Sequence, residues 1–167
     1  AGAIVRMTGS GMGCPDWPKC FGYLIPPTLE SELLFISFHD YSKGEMIILN
    51  SENLYTATKD FKSNEFIKLS NWSLYEKHDY VVYDPVHTWI EYINRLIGAL
   101  AGIPILIFTL ISIYYWKDYK YLTIISILTV AGMAFQAWLG KTVVDSNLAP
   151  YKITIHMLMA LVIVGLI

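Results

Sequence analysis

The chain has 167 residues, of which 54% are hydrophobic and 16% charged, and its formal net charge at pH 7 is −2. Its mean hydropathy of +0.44 exceeds that of an ordinary soluble domain. The weak negative charge and the lack of a basic stripe in the sequence exclude a nucleic-acid-binding protein. The chain begins with Ala1 and stops at Ile167 inside an apolar run, so we expect a piece cut at both ends.

A long polar segment, residues 13–88, precedes the most apolar part of the chain. It contains both cysteines, Cys14 and Cys20, on either side of the sequence PDWPK. Two prolines in so short a ring favour a tight turn, and an oxidising compartment favours a disulfide. Two free thiols or half of a metal site are the alternatives, although no histidine lies nearby in the sequence. Further along, we expect a short amphipathic helix over residues 29–38 and a turn or short strand over 65–69, while His39 and His78 are typical of solvated histidines.

Three apolar stretches follow, at residues 89–116, 121–140 and 153–167. A helix of roughly 20 apolar residues crosses a bilayer core, a length that the first two stretches reach. A buried core helix of a soluble protein explains one such run but hardly three. We therefore predict an integral membrane protein in contact with the lipid bilayer.

The short turn at residues 117–120 sets the orientation. It carries Lys117 and Lys120, and basic residues in short loops favour the cytoplasmic side. Residues 13–88 and the loop at 141–152 then lie on the outer side.

Polar side chains interrupt the first apolar stretch, in the sequence WIEYINRLIGALAG. Glu91, Asn94, Arg95 and Gly98 are spaced i, i+3, i+4 and i+7, which places them on one helix face. Gly98 and Gly102 lie four residues apart, a spacing that lets another helix or a flat ligand approach the backbone. An interfacial ion pair is the simpler interpretation, but polar groups at membrane depth usually mark a functional site.

His156 is the one strongly polar side chain after Thr154 in the third apolar stretch. Such a histidine often only bonds a neighbouring helix. Neutral imidazole is, however, the commonest protein ligand of haem iron. A haem in a helical bundle needs one histidine, small residues beside the macrocycle and an arginine for a propionate, and this chain offers all three.

Three blocks of sequence together resemble one family. The segment VRMTGSGMGCPDWPKCFG, residues 5–22, resembles the R-x-T-G-S-G…C-P-x-W-P-x-C signature after the first helix of haem A synthases. WIEYINRLIGALAG resembles their second helix, with EYINR in place of the E-x-x-H-R motif, as in Bacteroidetes-type members. LGKTVVDSNLAPYKITIHMLMAL resembles the end of their third helix and the start of their fourth.

The resemblance implies an all-α polytopic membrane bundle of eight helices in two four-helix halves. The chain would be the N-terminal half with a long outer loop, and residues 1–12 would end its first transmembrane helix. The implied enzyme lies in the bacterial inner membrane, with residues 13–88 in the periplasm. It oxidises the C8 methyl group of haem O to the formyl group of haem A for terminal oxidases, and a haem b is expected in the missing half. Haem O synthase and terminal oxidase assembly are the implied partners, and a homo-oligomer is a further option.

The same resemblance implies that Glu91 is the catalytic glutamate and that His156 is the axial ligand of haem iron. Arg95 matches the family's arginine, and it is expected to bind the cofactor together with Asn94, Gly98 and His156. Cys14 and Cys20 match the outer cysteine pair.

Asn94 departs from the family pattern, which has a histidine at this position. That histidine would be a second axial ligand. Iron held by His156 alone, a replacement ligand such as His87, or an altered site are the resulting options, and we favour the first. The rival functions are a membrane cytochrome b-like electron carrier, which would be expected to supply paired histidines, and a haem-binding assembly factor without catalysis.

Overall fold

The structure is a computed structural model that describes residues 2–49, 53–77 and 83–166. His78, interpreted above as a solvated histidine, and the terminal residues of the first and last expected helices, Ala1 and Ile167, lie outside these ranges. The chain divides into two compact units, Ala1–Tyr92 and Ile93–Ile167. Each unit is described by itself.

The first unit begins with helix α1, Gly2–Met7, and a 3-10 helix, Ser10–Met12. Two further 3-10 helices follow, Glu30–Leu33 and Leu69–Asn71. Among the residues described in this unit, the strands are β1 (Asp40–Tyr41), β2 (Met46–Leu49), β3 (Asn53–Ala57), β4 (Phe61–Lys62) and β5 (Trp72–Leu74). Strand β1 pairs with β4, and the other three form an antiparallel sheet in the order β2-β3-β5.

The expectation of an all-α chain is therefore wrong for the outer segment. The amphipathic helix expected over residues 29–38 is only the 3-10 turn Glu30–Leu33, and residues 65–69 contain no strand, since β5 starts at Trp72. The apolar pattern of β2 explains why this strand was not predicted from the sequence. Met46 and Ile48 belong to one apolar cluster and Ile47 to another, so apolar side chains cover both faces of the strand.

Two apolar clusters form the core of this unit. The first surrounds the cysteines and contains the buried residues Cys14, Cys20, Phe21, Leu33, Met46, Ile48 and Leu54. The second contains Tyr41, Ile47, Ala57 and Trp72, with the Tyr41 and Trp72 rings 5.0 Å apart edge to face. Because each cluster draws on strands and loops far apart in sequence, the segment is a folded module.

Long helices make up the rest of the structure. Helix α2, Pro85–Tyr114, starts in the first unit and continues into the second, followed by α3, Lys120–Asp145, and α4, Pro150–Leu166. Helices α2 and α3 are long and apolar enough to cross a membrane, whereas α4 is shorter. Only 11% and 28% of their most apolar stretches are buried, unlike the core helices of a soluble protein.

Small hydroxyl side chains join α2 to α3 near their short connection. The Thr123 hydroxyl donates to the Ser112 carbonyl at 2.8 Å, and the Ser112 and Ser126 hydroxyls lie 3.0 Å apart. All three residues are buried. Such short side chains let two helices approach closely while their hydroxyls find hydrogen-bond partners in apolar surroundings.

Candidate functional site

The two cysteines lie together within the first apolar cluster. Their sulfur atoms are 2.05 Å apart, a bonding distance, and their Cα atoms are 4.8 Å apart. The intervening loop is tied down by side chains: the Asp16 carboxylate accepts a hydrogen bond from the Gly22 backbone N–H at 2.9 Å, and the Tyr75 hydroxyl donates to the Pro15 carbonyl at 2.7 Å. The cysteine loop is thus held in one conformation.

Glu91 is bound to this loop. Its Oε2 atom accepts a hydrogen bond from the Cys14 backbone N–H at 2.8 Å, and the side chain is only 4% exposed. One turn earlier, the buried Thr88 hydroxyl donates to the Gly13 carbonyl at 2.8 Å. A Cβ atom at Gly13 would lie 2.3 Å from the His87 carbonyl oxygen, so only glycine allows this close approach. The first turns of α2 therefore hold the backbone of Gly13 and Cys14 by hydrogen bonds and close packing.

The other polar residues of α2 are less buried. Asn94 and Arg95 are half-buried, and Gly98 is exposed, with no atom within 4 Å of where its Cβ would be. This absence of neighbours holds for the residues that the structure describes. His87, the replacement ligand considered above, has a 44% exposed side chain with Nδ1 3.9 Å from the Asp84 carboxylate.

His156 lies on α4 against α3. The Gln136 side-chain amide donates to the His156 carbonyl at 2.9 Å, and its Nε2 atom is 3.5 Å from the Nε2 atom of the imidazole. A Cβ at Gly140 would stand 3.4 Å from the His156 Cε1 atom. The ring therefore sits in a cradle formed by an amide and a glycine one turn apart.

Two polar atoms of this cradle are buried without a hydrogen-bond partner among the described residues: His156 Nδ1 and Gln136 Oε1. A buried polar atom without a partner is costly in apolar surroundings, so native proteins rarely retain one without a reason. Imidazole nitrogen is the usual protein ligand of haem iron, but here Nδ1 is enclosed by protein and Nε2 faces the Gln136 amide nitrogen, so the ring would have to turn to ligate iron.

The structure thus joins Glu91 to Cys14, pairs Cys14 with Cys20, and places His156 on Gln136. Thr88, Gln136 and Gly140 did not emerge from the sequence. An amide inside an apolar span was the available signal for Gln136. The contact of Thr88 with Gly13, 75 residues away, had no local signal.

Comparison with known proteins decides the family. The family model COX15-CtaA, described as cytochrome oxidase assembly protein, matches residues 1–48 and 43–167. The chain belongs to this family. Heme A synthase of Shewanella oneidensis is 26% identical over 157 residues, a match that covers 94% of this chain and 35% of that protein. The chain thus spans about a third of the length of this curated relative. No solved structure matches it.

Membership in the COX15-CtaA family confirms the resemblance to haem A synthases carried by the three sequence blocks. Membership in this family also implies that haem is involved in the function of the protein. The match fits the two helices that are long and apolar enough to cross a membrane, since the family is membrane-bound.

Proposed function

We propose that this chain is part of a haem A synthase that oxidises the C8 methyl group of haem O to the formyl group of haem A for a terminal oxidase. The family match along the whole chain carries the proposal, because it includes the cysteine loop, the polar face of α2 and His156. The longer protein would be an eight-helix bundle of two halves, with this chain in the N-terminal half and a haem b in the other.

In this proposal His156 ligates the iron of the substrate haem through an imidazole nitrogen. Asn94 stands where the family motif has a histidine, and an amide is a poor ligand for haem iron. A single protein ligand suits a haem that must be released after oxidation. The open space beside Gly98 leaves room for a flat macrocycle, and the Arg95 guanidinium provides a charge-assisted partner for a propionate.

Glu91 is the proposed catalytic residue. Oxidation of a methyl to a formyl group needs an external electron acceptor and an oxygen atom from water or dioxygen, and it releases protons, for which a carboxylate is a suitable acceptor. The same negative charge would also stabilise a developing cation at that carbon. The hydrogen bond from the Cys14 N–H holds the carboxylate in position.

We further propose that residues 13–88 and 141–152 lie on the periplasmic side of the bacterial inner membrane, where oxidising conditions maintain the Cys14–Cys20 disulfide. Lys117 and Lys120 then lie in the cytoplasmic turn. Haem O synthase is the proposed supplier of the substrate, and terminal oxidase assembly receives the product.

Haem analysis tests the function directly. The full-length protein is expressed in a host that makes haem O but no haem A, and the extracted haems are separated by chromatography. We expect haem A to appear at the expense of haem O, and His156→Ala to abolish the conversion. Haem O left unchanged beside a spectrally intact bound haem would instead identify a non-catalytic haem protein.

Substitutions at Glu91 separate chemistry from structure. Glu91→Gln keeps a side-chain oxygen for the Cys14 N–H but is a far weaker proton acceptor, whereas Glu91→Ala removes both functions. Because a general base contributes about 100-fold or more, we expect Glu91→Gln to lower the haem A yield by at least about 100-fold, with a smaller loss of thermal stability than in Glu91→Ala. Glu91→Ala should lose activity and stability together. Full activity in Glu91→Gln would remove Glu91 from the chemistry.

A further inference from the structure

A single peptide unit joins the cysteine loop to two side chains of α2. Its carbonyl belongs to Gly13 and accepts a hydrogen bond from the Thr88 hydroxyl at 2.8 Å. Its N–H belongs to Cys14 and donates to the Glu91 Oε2 atom, also at 2.8 Å. Thr88 and Glu91 lie three residues apart on α2 and therefore on one helix face. The Gly13–Cys14 peptide thus bridges these two side chains.

The bridging peptide is enclosed by protein. Thr88 and Cys14 are fully buried, and Glu91 is only 4% exposed. Because solvent does not reach these groups, water cannot readily replace the Thr88 hydroxyl as the donor to the Gly13 carbonyl. A buried carbonyl that loses its donor is costly, so the peptide would turn in search of another partner.

The rigidity of the peptide couples Thr88 to Glu91. The carbonyl and the N–H of one peptide lie in one plane, so a hydrogen bond that fixes the carbonyl also fixes the direction of the N–H. Gly13 does not fix this plane by itself, because the close approach to the His87 carbonyl requires glycine, whose φ and ψ are the least restricted. Hydrogen bonds in a chain also polarise one another, so donation by Thr88 strengthens the Cys14 N–H as a donor. The donor that meets Glu91 therefore depends on Thr88.

We propose that Thr88 is a positioning residue that holds the Glu91 carboxylate in place through the Gly13–Cys14 peptide. This inference rests on the proposed function, in which Glu91 accepts protons released from the substrate. A misplacement of about 1 Å costs a reaction about 100-fold in rate. Because Thr88 acts through Glu91 and not on the substrate, its loss should lower kcat and leave the binding of haem O unchanged.

The test measures initial rates of haem A formation by membranes that contain the full-length protein, at several concentrations of haem O. Thr88→Val removes the hydroxyl and keeps the shape of the side chain. We expect kcat to fall about 10- to 100-fold, with KM for haem O within about 2-fold of the wild type. Thr88→Ser retains a hydroxyl and should restore most of kcat. Thr109→Val is the matched control, because Thr109 is also buried on α2 but its hydroxyl bonds only the Ile105 carbonyl of its own helix. This control should keep both kcat and KM.

A double substitution separates positioning of Glu91 from a general structural role. Glu91→Asp keeps a carboxylate but shortens the side chain by one methylene, which takes the carboxylate out of reach of the Cys14 N–H. Since residues that act through one another have non-additive effects, adding Thr88→Val to Glu91→Asp should lower kcat by less than about 2-fold. If Thr88→Val does not fold, Thr88→Ala removes the same hydroxyl from a smaller side chain and gives the same comparison.

The possible outcomes are distinct. A fall in kcat at constant KM that Thr88→Ser restores, and that is absent in the Glu91→Asp background, supports the inference. Wild-type kcat in Thr88→Val beside a loss in Glu91→Gln overturns the positioning role and leaves the proposed function standing. An equal loss in Thr88→Ser, or an undiminished loss in the Glu91→Asp background, also overturns it. Full activity in Glu91→Gln removes the proposed role of Glu91 and this inference with it.

Discussion

Replacing Gly13 by alanine should detach the cysteine loop from α2. The new Cβ would lie 2.3 Å from the His87 carbonyl oxygen and 2.7 Å from the Thr88 backbone nitrogen. Both are backbone atoms in the first turn of a helix, so the loop rather than the helix must move. That movement breaks or stretches the hydrogen bonds from Thr88 to Gly13 and from Cys14 to Glu91.

The cost follows from these contacts. A hydrogen bond to a charged group contributes about 1.5–3 kcal/mol and a neutral one about 1 kcal/mol, while overpacking adds about 1–3 kcal/mol. Together these contributions give a loss of about 3.5–7 kcal/mol for the closed arrangement in Gly13→Ala. Since about 1.4 kcal/mol corresponds to a factor of ten, the open form becomes at least about 100-fold more populated.

Limited proteolysis of the full-length protein in detergent measures this opening. We expect cleavage within residues 15–83 to accelerate by about 100-fold in Gly13→Ala, because protease attack tracks the open population when opening is fast. Gly165→Ala is the matched control, since a Cβ at Gly165 meets no atom within 4 Å. Wild-type cleavage rates in Gly13→Ala would refute the close approach between the loop and α2.

Two further predictions concern other parts of the molecule. Thr123→Val removes the hydrogen bond from α3 to the Ser112 carbonyl and should destabilise the full-length protein by about 1 kcal/mol in detergent denaturation, whereas Thr109→Val, whose hydroxyl bonds only its own helix, should have little effect. In the first unit, burial raises the pKa of Tyr23 and of Tyr83 from 10.0 to about 12, and nearby carboxylates add to this effect. Because both rings ionise more easily when unfolded, their contribution to stability is complete below pH 10 and is lost as the pH rises towards 12. Alkaline unfolding followed by tryptophan fluorescence should show this loss, and a pH dependence that is equally steep in Tyr83→Phe would contradict the assignment to Tyr83.

The helices could be predicted because the signal is local. An apolar stretch of membrane-spanning length determines a helix whatever its neighbours are. The boundaries differ by a few residues, as at Pro85, where α2 begins before the apolar run at residue 89. The helix starts earlier because the Asp84 carboxylate accepts hydrogen bonds from the Val86 and His87 backbone N–H groups and so caps its first turn.

The strands of the first unit could not be predicted in the same way. Strand β2 is apolar on both faces, so the alternation that identifies a half-buried strand is missing. Its pairing with β3 and the pairing of β3 with β5 depend on contacts between distant residues. For the candidate site, the sequence pointed to Glu91 and His156 by their polarity within apolar helices. It did not reveal that Glu91 holds Cys14 or that Gln136 holds His156, because both contacts join different segments.

The contacts of α2 with Gly13 and Cys14 also determine where the chain tolerates insertions and deletions. Residues 15–83 connect two points that lie close together, because Gly13 and Cys14 contact the start of α2. They therefore form a long loop with fixed ends. The entropic cost of closing such a loop grows only with the logarithm of its length. Insertions and deletions within it should therefore leave the start of α2 undisturbed, so the module is free to diverge in length and surface while the helices keep their places.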